Sequence, residues 1–255
     1  MRAIILAAGR GIRLKQAAED QVPKCLLRFG GMTLLERHLR LLRSAGVEDV
    51  VLALGWRYEL VEAELERLEW RPRPQIVLNP RFELGSVLTV HTAAEAMTRG
   101  GDVLLMDADV LYDERIAGAL VAGEGPVNRV LIDRDFEAGD EPVKLCVSGG
   151  VPIELRKQLG ADLKYDTIGE SVGFFRFDQA GARRLAALVA EYVAQDRAHM
   201  PHEEAVRDLL RERSQVFEVA DVTGAPWIEI DFPTDVIRAA HEVLPQLQPL
   251  SGAGR

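Results

Sequence analysis

Short apolar runs alternate with amphipathic segments through the first half of this chain. The runs at 2–7, 50–54, 76–78 and 103–106 are almost continuously apolar, as in parallel strands that are covered on both faces. The intervening segments have apolar residues at helical spacing. Three helices are predicted. The first starts with a capping box formed by Thr33 and Glu36 and ends at Gly46, and the other two lie at 58–69 and 86–97. This alternation predicts an α/β fold with a doubly wound, Rossmann-like mixed sheet.

The pattern becomes richer in strands from about residue 126. Predicted elements are a hairpin formed by 143–147 and 151–155, strands at 171–177, 216–219 and 227–230, and helices at 179–195, 202–212 and 233–243. No low-complexity linker separates the halves. We therefore predict a single domain over 1–255, with halves at about 1–125 and 126–247, a β-rich insert in the second half, and a frayed tail at 248–255.

The loop after the first strand has the composition of an anion-binding loop. Small residues leave its peptide N–H groups open to phosphate oxygens, and two cationic side chains, Arg13 and Lys24, follow closely. The predicted phosphate-binding residues are Leu6, Ala7, Ala8, Gly9, Arg10 and Gly11. A dinucleotide fingerprint is disfavoured because Leu14 occupies the position of its third small residue, and a P-loop because no Gly-Lys-Ser/Thr closes the turn. An ordinary glycine turn remains the simplest alternative.

Composition narrows the functional classes. The chain has 255 residues and a net charge of −9, which argues against nucleic acid as a partner. No apolar run approaches the roughly 20 residues of a membrane span. The two cysteines, Cys25 and Cys146, lie in apolar stretches without metal-binding spacing, which favours buried, reduced thiols and a cytoplasmic location.

Several motifs resemble landmarks of the nucleotidyltransferases that activate phosphorylated sugars and alcohols. They are LAAGRGIRL with Pro23-Lys24 near the start, then LLMDAD, ESVGFFRFD and WIEIDFPTDV. The Trp-Ile-Glu-Ile-Asp ending is most similar to cytidylyltransferases that act on phosphocholine, aminoethylphosphonate or inositol phosphate. The resemblance implies a glycosyltransferase-A-like fold and transfer of CMP from CTP to a small phosphate- or phosphonate-bearing alcohol or amine, with release of pyrophosphate. A homodimer is left open.

The resemblance also implies roles for individual residues. Lys24 matches the lysine that bridges the reacting phosphates, with Arg13 beside it as a second catalytic cation. Asp109 and Asp231 follow apolar strands and match acidic positions that bind Mg²⁺, and Asp107 is the nearest competitor. The stretch containing Asn79, Gly85 and Ser86 is similar to the one that lies along the nucleotide base.

The acceptor site is predicted from fewer signals. Lys157 corresponds to a family lysine that holds the acceptor phosphate, and Lys144 in the hairpin is its rival. If the acceptor has a cationic head group, acidic and aromatic residues should surround it, and residue types alone do not select among the available Glu170, Tyr165, Phe174, Glu203 and Trp227. For each of the two lysines a solvated surface side chain is the alternative, and for the aromatic residues a place in the core.

Three other functions stay open on the sequence alone. The chemistry suits a sugar 1-phosphate or inositol 1-phosphate acceptor as well. A glycosyltransferase with Asp107-Ala108-Asp109 as its metal motif would not need the glycine loop with Lys24. A catalytically silent nucleotide-sensing subunit would bind CTP but release no pyrophosphate. We expect direct displacement without a covalent intermediate, since the acceptor brings its own ionised oxygen.

Overall fold

The computed structural model describes residues 1–14, 21–123, 125 and 127–250. Its strands are β1 Arg2–Ala7, β2 Arg28–Phe29, β3 Met32–Thr33, β4 Asp49–Leu54, β5 Gln75–Leu78, β6 Val103–Asp107, β7 Val110–Tyr112, β8 Asn128–Asp133, β9 Lys144–Ser148, β10 Val151–Arg156, β11 Thr167–Phe177, β12 Phe217–Asp221 and β13 Trp227–Glu229. Its α-helices are α1 Leu34–Ser44, α2 Tyr58–Arg67, α3 Ser86–Thr92, α4 Ala94–Thr98, α5 Glu114–Val121, α6 Gln179–Ala194, α7 His202–Leu210 and α8 Pro233–Arg238.

A mixed sheet of nine strands forms the centre of the described chain. Its main path runs β10-β9-β11-β6-β1-β4-β5, and β8 joins it by pairing with β11 and β12. The strands from the first half, β6, β1, β4 and β5, are mutually parallel, so their carboxyl ends meet at one edge. The predicted doubly wound mixed sheet is confirmed, and the β-rich half extends the same sheet.

Strand β11 joins the two halves of the molecule. Its first residues pair with β9 and its last residues pair with β6, both antiparallel. On its other side it pairs with β8, with a register shift between Ser171 and Phe175. The strand predicted at 171–177 therefore begins four residues earlier, at Thr167, because residues 167–170 pair with β9.

Alternate residues of the central strands pack on opposite faces of the sheet. In β1, Ile4 and Leu6 contribute to one apolar cluster, with α3, α4, α6 and α7. Ala3 and Ile5 contribute to the other, with α1, α2 and α5. A third, smaller cluster joins Leu34 and Leu111 to the segment after β13. The near-continuous apolar runs are thus explained by burial on both faces.

Two predicted helices differ in detail. The segment at 86–97 forms two helices that meet at Ala93, and the Thr92 hydroxyl donates to the carbonyls of Leu88 and Thr89 just before the break. Such back-bonding competes with the helical ladder and bends helices. The last helix is α-helical only over α8 and continues as a π-helical turn, Ala239–Val243.

The prediction about the two cysteines holds in the described chain. Cys25 and Cys146 are both buried free thiols. Among the described helices, none combines the length and the apolar character that crossing a bilayer requires.

Candidate active site

A cavity of about 220 Å³ opens where β1 and β6 end, and we call it the small cavity. Leu6, Ala7, Gly9 and Gly11 contribute one side of it, and Ala108 and Asp109 contribute the other. Ile12, Arg13, Lys24 and Cys25 complete its lining. The glycine loop therefore lies at the carboxyl edge of the sheet, where ligands of doubly wound folds bind.

Two glycines of this loop have different surroundings. Gly11 has φ +62°, and a Cβ atom there would lie 3.0 Å from Cγ of Lys24. The loop thus packs directly on the aliphatic stem of Lys24. Among the described residues, no atom beyond Gly9 and its two chain neighbours lies within 4 Å of the position of a Gly9 Cβ, so a ligand can approach the loop there.

Lys24 joins two aspartates that are distant in sequence. Its Nζ atom donates to Asp109 Oδ2 at 2.6 Å and to Asp231 Oδ1 at 2.7 Å. Lys24 begins a short 3₁₀ helix, Lys24–Leu26, directly after Pro23, which fixes the direction of the chain. The predicted trio of Lys24, Asp109 and Asp231 therefore lies around one point.

The two aspartates are brought together by backbone pairing. Strands β7 and β13 form an antiparallel pair, and the Ile230 N–H donates to the Asp109 carbonyl at 2.9 Å. The backbone N–H groups of Asp231 and Phe232 both donate to Asp235 Oδ2, at 3.0 and 2.7 Å. Asp235 thus fixes the turn that carries Asp231.

The ionisation of the groups around Lys24 follows from these contacts. Burial alone would lower the pKa of Lys24, but the carboxylates of Asp109 and Asp231 outweigh it and raise that pKa above its usual value. Lys24 therefore stays an ammonium group. Burial raises the pKa of the Cys25 thiol to about 12, so Cys25 is a neutral lining residue and not a nucleophile.

Arg13 extends the cluster toward the second half of the chain. Its guanidinium contacts Asp231 Oδ2 at 2.8 Å and donates to Glu141 Oε2 at 3.1 Å. It also lies 5.3 Å from the centre of the Phe232 ring. Arg13 is therefore oriented by three contacts while its side chain keeps 44% of its exposure, which leaves it open to a ligand.

Three carboxylates form a group that suits a hard divalent cation. One carboxylate oxygen from each of Asp109, Glu229 and Asp231 lies within 4.8 Å of the other two. Desolvation by the surrounding protein and the carboxylates of Asp109 and Asp231 raise the pKa of Glu229 well above its usual value, although its side chain faces the open cleft. The three carboxylates repel one another, and a divalent cation would relieve this repulsion. Because all their ligand atoms are oxygens, the group fits Mg²⁺. Glu229 was not predicted; it lies two residues before Asp231, a spacing that places side chains on the same face of a strand.

Asp107, the competing metal ligand, lies at the end of β6 and outside this group. Its carboxylate covers the backbone of Gly173, where a Cβ would lie 2.6 Å from Asp107 Oδ2. Gly173 has φ +77°, so both the conformation and the space favour glycine. Desolvation and the carboxylates of Glu203 and Asp109 raise the pKa of Asp107 well above its usual value.

A second cavity, of about 560 Å³, adjoins this cluster, and we call it the large cavity. Asp231 lines it and also contacts Lys24, which lines the small cavity, so the two cavities meet at this ion pair. Asp133 at the end of β8 and the irregular segment 135–142 form much of its wall. Glu170 of β11 and the 227–238 region form the rest.

The two candidate lysines for the acceptor phosphate have different surroundings. Lys157 Nζ donates to Glu141 Oε2 at 3.0 Å, the same oxygen that Arg13 contacts. Lys144 Nζ donates to three backbone carbonyls, those of Gly139, Lys157 and Pro142, at 2.6, 2.7 and 3.4 Å. Lys144 therefore ties the wall segment to the hairpin, whereas Lys157 lies beside Arg13 at the rim of the large cavity.

The remaining predicted residues lie outside both cavity linings. Asn79 is buried, donates to Thr89 Oγ1 and accepts from the Arg81 N–H, so its side chain supports the loop. A Cβ on Gly85 would lie 2.6 Å from the His199 carbonyl oxygen, so close packing requires glycine there.

The other three residues are Ser86, which follows Gly85, and Arg10 and Ala8 of the glycine loop. Ser86 Oγ accepts from the His202 backbone N–H at 2.8 Å. Arg10 donates to Glu83 at 3.1 Å, and the Ala8 carbonyl accepts from the Trp56 N–H. Binding of the nucleotide by these residues stays a prediction.

The sheet order and the ion cluster at its carboxyl edge define a nucleotidyltransferase-type α/β protein. A family model for the MobA-like NTP transferase domain matches residues 3–168 of this chain, which therefore belongs to that family. The match covers the glycine loop, Lys24 and Asp109.

Individual relatives agree with this assignment. The chain is 28% identical over 242 residues to the "Bifunctional IPC transferase and DIPP synthase" of Aquifex aeolicus, covering 93% of this chain and 50% of that protein. It thus spans about half the length of this bifunctional relative. It is 23% identical to the CTP:phosphoglutamine cytidylyltransferase of Campylobacter jejuni, covering 92% and 98%. The solved inositol-1-phosphate CTP transferase from T. maritima shares the fold, with a TM-score of 0.75, 21% identity and coverage of 96% and 95%.

Proposed function

We propose that this protein is a cytidylyltransferase that moves CMP from CTP to a small phosphate- or phosphonate-bearing acceptor and releases pyrophosphate. The observation that carries the proposal is the ammonium group of Lys24, held at 2.6 and 2.7 Å between Asp109 and Asp231 beside the open glycine loop. A cation so placed suits the negative charge that develops on an α-phosphoryl group under attack. The cytidylyltransferase relatives support CTP as the nucleotide.

The reaction that we propose is a single in-line displacement. An oxygen of the acceptor phosphate attacks the α-phosphorus of CTP, a new P–O bond forms, and the bond to the β-phosphate oxygen breaks as pyrophosphate leaves. The backbone N–H groups around Gly9 bind the triphosphate. Lys24 stabilises charge on the α-phosphoryl oxygens, and Arg13 and Lys157 hold the acceptor phosphate against its like-charged target.

The metal-binding residues follow from the acidic group. Asp109, Asp231 and Glu229 would hold Mg²⁺, which neutralises phosphate charge when bound. Lys24 would then exchange at least one aspartate contact for a phosphate oxygen. No protein nucleophile is needed, in keeping with the neutral thiol of Cys25.

Inositol 1-phosphate is the second candidate acceptor. It is favoured by the likeness to the T. maritima enzyme and by the Aquifex aeolicus relative. A sugar 1-phosphate uses the same chemistry and belongs in the same test.

The test is a matrix of nucleotides and acceptors read out by pyrophosphate release. The purified protein with Mg²⁺ is given CTP, UTP, ATP or GTP together with phosphocholine, aminoethylphosphonate, inositol 1-phosphate or glucose 1-phosphate. We expect pyrophosphate with CTP and one acceptor class, and a CDP-linked product in equal amount by mass spectrometry. A protein that binds CTP and releases no pyrophosphate with any acceptor would contradict the proposal, and a strong preference for another nucleotide would contradict its CTP part.

A further inference from the structure

The large cavity is strongly acidic, although it adjoins a site for polyanions. Nine of the described residues that line it are aspartate or glutamate, and only Arg238 is basic. We propose that the acceptor carries an amine or quaternary ammonium group at the end remote from its phosphate, and that Asp133, Glu170 and Trp227 receive this cation. The inference rests on the proposed function and names the substrate class of the same site.

Asp133 and Glu170 form a pair of like charges within the sheet. They lie directly opposite each other where β8 pairs antiparallel with β11. Carboxylates in such a cross-strand pair destabilise the sheet unless a cation lies between or above them. Asp133 is only 7% exposed, so water compensates its charge poorly. Burial and Asp133 raise the pKa of Glu170 to about 7.

The described cations near this pair are engaged elsewhere. Lys144 pairs with Glu170 in the backbone register of β9 and β11, but its ammonium group is bonded to three carbonyls. Lys157 is bonded to Glu141. Arg238, which also lines the cavity, contacts Glu137 and Glu242 at 3.4 and 3.5 Å. Lys144 and Lys157 act on Glu170 through space. Among the described residues neither Asp133 nor Glu170 has a direct ion-pair partner, so a direct ion pair is left for a ligand to supply.

Trp227 adds an aromatic surface to this pair of carboxylates. Its indole Nε1 donates to Asp133 Oδ2 at 2.8 Å, and the other Asp133 oxygen accepts from the Asp135 N–H at 2.9 Å. The ring and the carboxylate are thereby held together in one cavity wall. An aromatic face next to a fixed carboxylate is the arrangement that binds ammonium groups.

Another part of the cavity lining, around Glu141, suits the acceptor phosphate. Glu141 lines the large cavity and is contacted by both Arg13 and Lys157. An acceptor bound in this cavity would have its anion beside these cations and its cation beside Asp133, Glu170 and Trp227. Lys144 and Lys157 act on Glu170 through space only, and a neutral polyol would add no cation in direct contact with Asp133 and Glu170, which is why the structure favours the cationic class.

The test compares ligands that differ only in charge. Calorimetry on the full chain measures binding of phosphocholine and of its neutral isostere, in which a tert-butyl group replaces the trimethylammonium group. Phosphoethanolamine and inositol 1-phosphate are measured in parallel. We expect at least one cationic phosphate to bind about tenfold or more tightly than both neutral compounds.

One variant and a matched control test whether the cavity causes this preference. Glu170→Gln, which keeps the shape of the side chain, is expected to reduce the preference severalfold while a neutral phosphate binds as before. Glu48→Gln removes the same charge at an exposed position outside both cavities and should change nothing. The wild-type comparison alone decides the proposal if Glu170→Gln fails to fold.

The outcomes separate this inference from the proposed function. Equal binding of the isosteres, tighter binding of inositol 1-phosphate, or no binding of any cationic phosphate overturns the inference. Pyrophosphate release with inositol 1-phosphate would then leave the cytidylyltransferase proposal standing. A clear preference for a cationic phosphate without any pyrophosphate release supports the inference and overturns the enzymatic proposal.

Discussion

The two cavities of this protein differ in the charge that they offer to a ligand. The small cavity presents backbone N–H groups with Arg13 and Lys24, whereas nine carboxylates line the large one. They meet where Asp231 contacts both cations. A substrate pair with a triphosphate on one side and a cationic head group on the other would match this division of charge.

The contacts of Asp231 also explain how two cations can lie near each other in the lining of the small cavity. Arg13 and Lys24 are each paired with Asp231, so the cations do not repel one another. The same aspartate belongs to the group that would hold Mg²⁺. Asp231 is therefore the residue on which both cavities depend, and its loss should have the largest effect.

Asp231→Asn is expected to lower kcat about 10³-fold, since it weakens the metal group and frees both cations at once. The rate of pyrophosphate release, measured over a range of Mg²⁺ concentrations, checks this expectation. The variant should also need more Mg²⁺ for half of its residual rate.

Asp196→Asn is the matched control. Asp196 is exposed, and its φ of +60° is one that asparagine tolerates well. An unchanged Mg²⁺ requirement in Asp231→Asn, with a normal rate, would remove Asp231 from the metal group.

Lys24→Ala is expected to lower kcat about 10²- to 10³-fold, with a much smaller change in the KM for CTP. The reason is that Lys24 is proposed to act on charge that develops in the transition state. Steady-state kinetics on CTP and the acceptor separate the two parameters.

Arg183→Ala removes one exposed cation from α6 and serves as the control. A Lys24→Ala variant that keeps its kcat and loses only CTP affinity would make Lys24 a binding residue, and the small cavity would then be a nucleotide site without this catalytic cation.

The small cavity could be predicted from sequence largely because its residues follow strand ends. Gly9 and Asp109 lie close behind β1 and β6, whose apolar runs are plain, whereas the role of Lys24 was predicted from the resemblance. Parallel strands then bring such residues to one edge. Asp231 was found through its resemblance and its place after an apolar strand, while Glu229 beside it was missed although the strand period of two implies a shared face.

The large cavity could not be predicted in the same way. Five of the residues from 133 to 141 are acidic, and such a run usually belongs to a solvated surface. Its inward position depends on Lys144 and on the pairing of β8 with β11, which are long-range contacts without a periodic signal. Strand β8 itself was not predicted, because it falls where the regular alternation of the first half ends.

The smallest expected effect tests the large cavity through its stability. Burial and Asp133 raise the pKa of Glu170 to about 7 against the opposing charges of Lys144 and Lys157, with Glu137 adding to the rise. A raised carboxyl pKa favours the folded state below the unfolded value of 4.5, and this contribution is lost as the pH rises through 7. Glu170→Gln stays neutral and escapes that loss.

Thermal unfolding of Glu170→Gln and the wild type at pH 5 and pH 8 measures the effect. We expect the melting temperature of the variant relative to the wild type to rise by about 2–4 °C from pH 5 to pH 8, a small shift because Glu170 is partly open to solvent. Glu48→Gln should show no such trend. Saturating phosphocholine should remove the difference in melting temperature between the variant and the wild type at pH 8. Its ammonium group would compensate the ionised Glu170 of the wild type, whereas the variant has no charge at that position. A gap that phosphocholine leaves unchanged would mean that the acidic wall of the large cavity does not receive the head group.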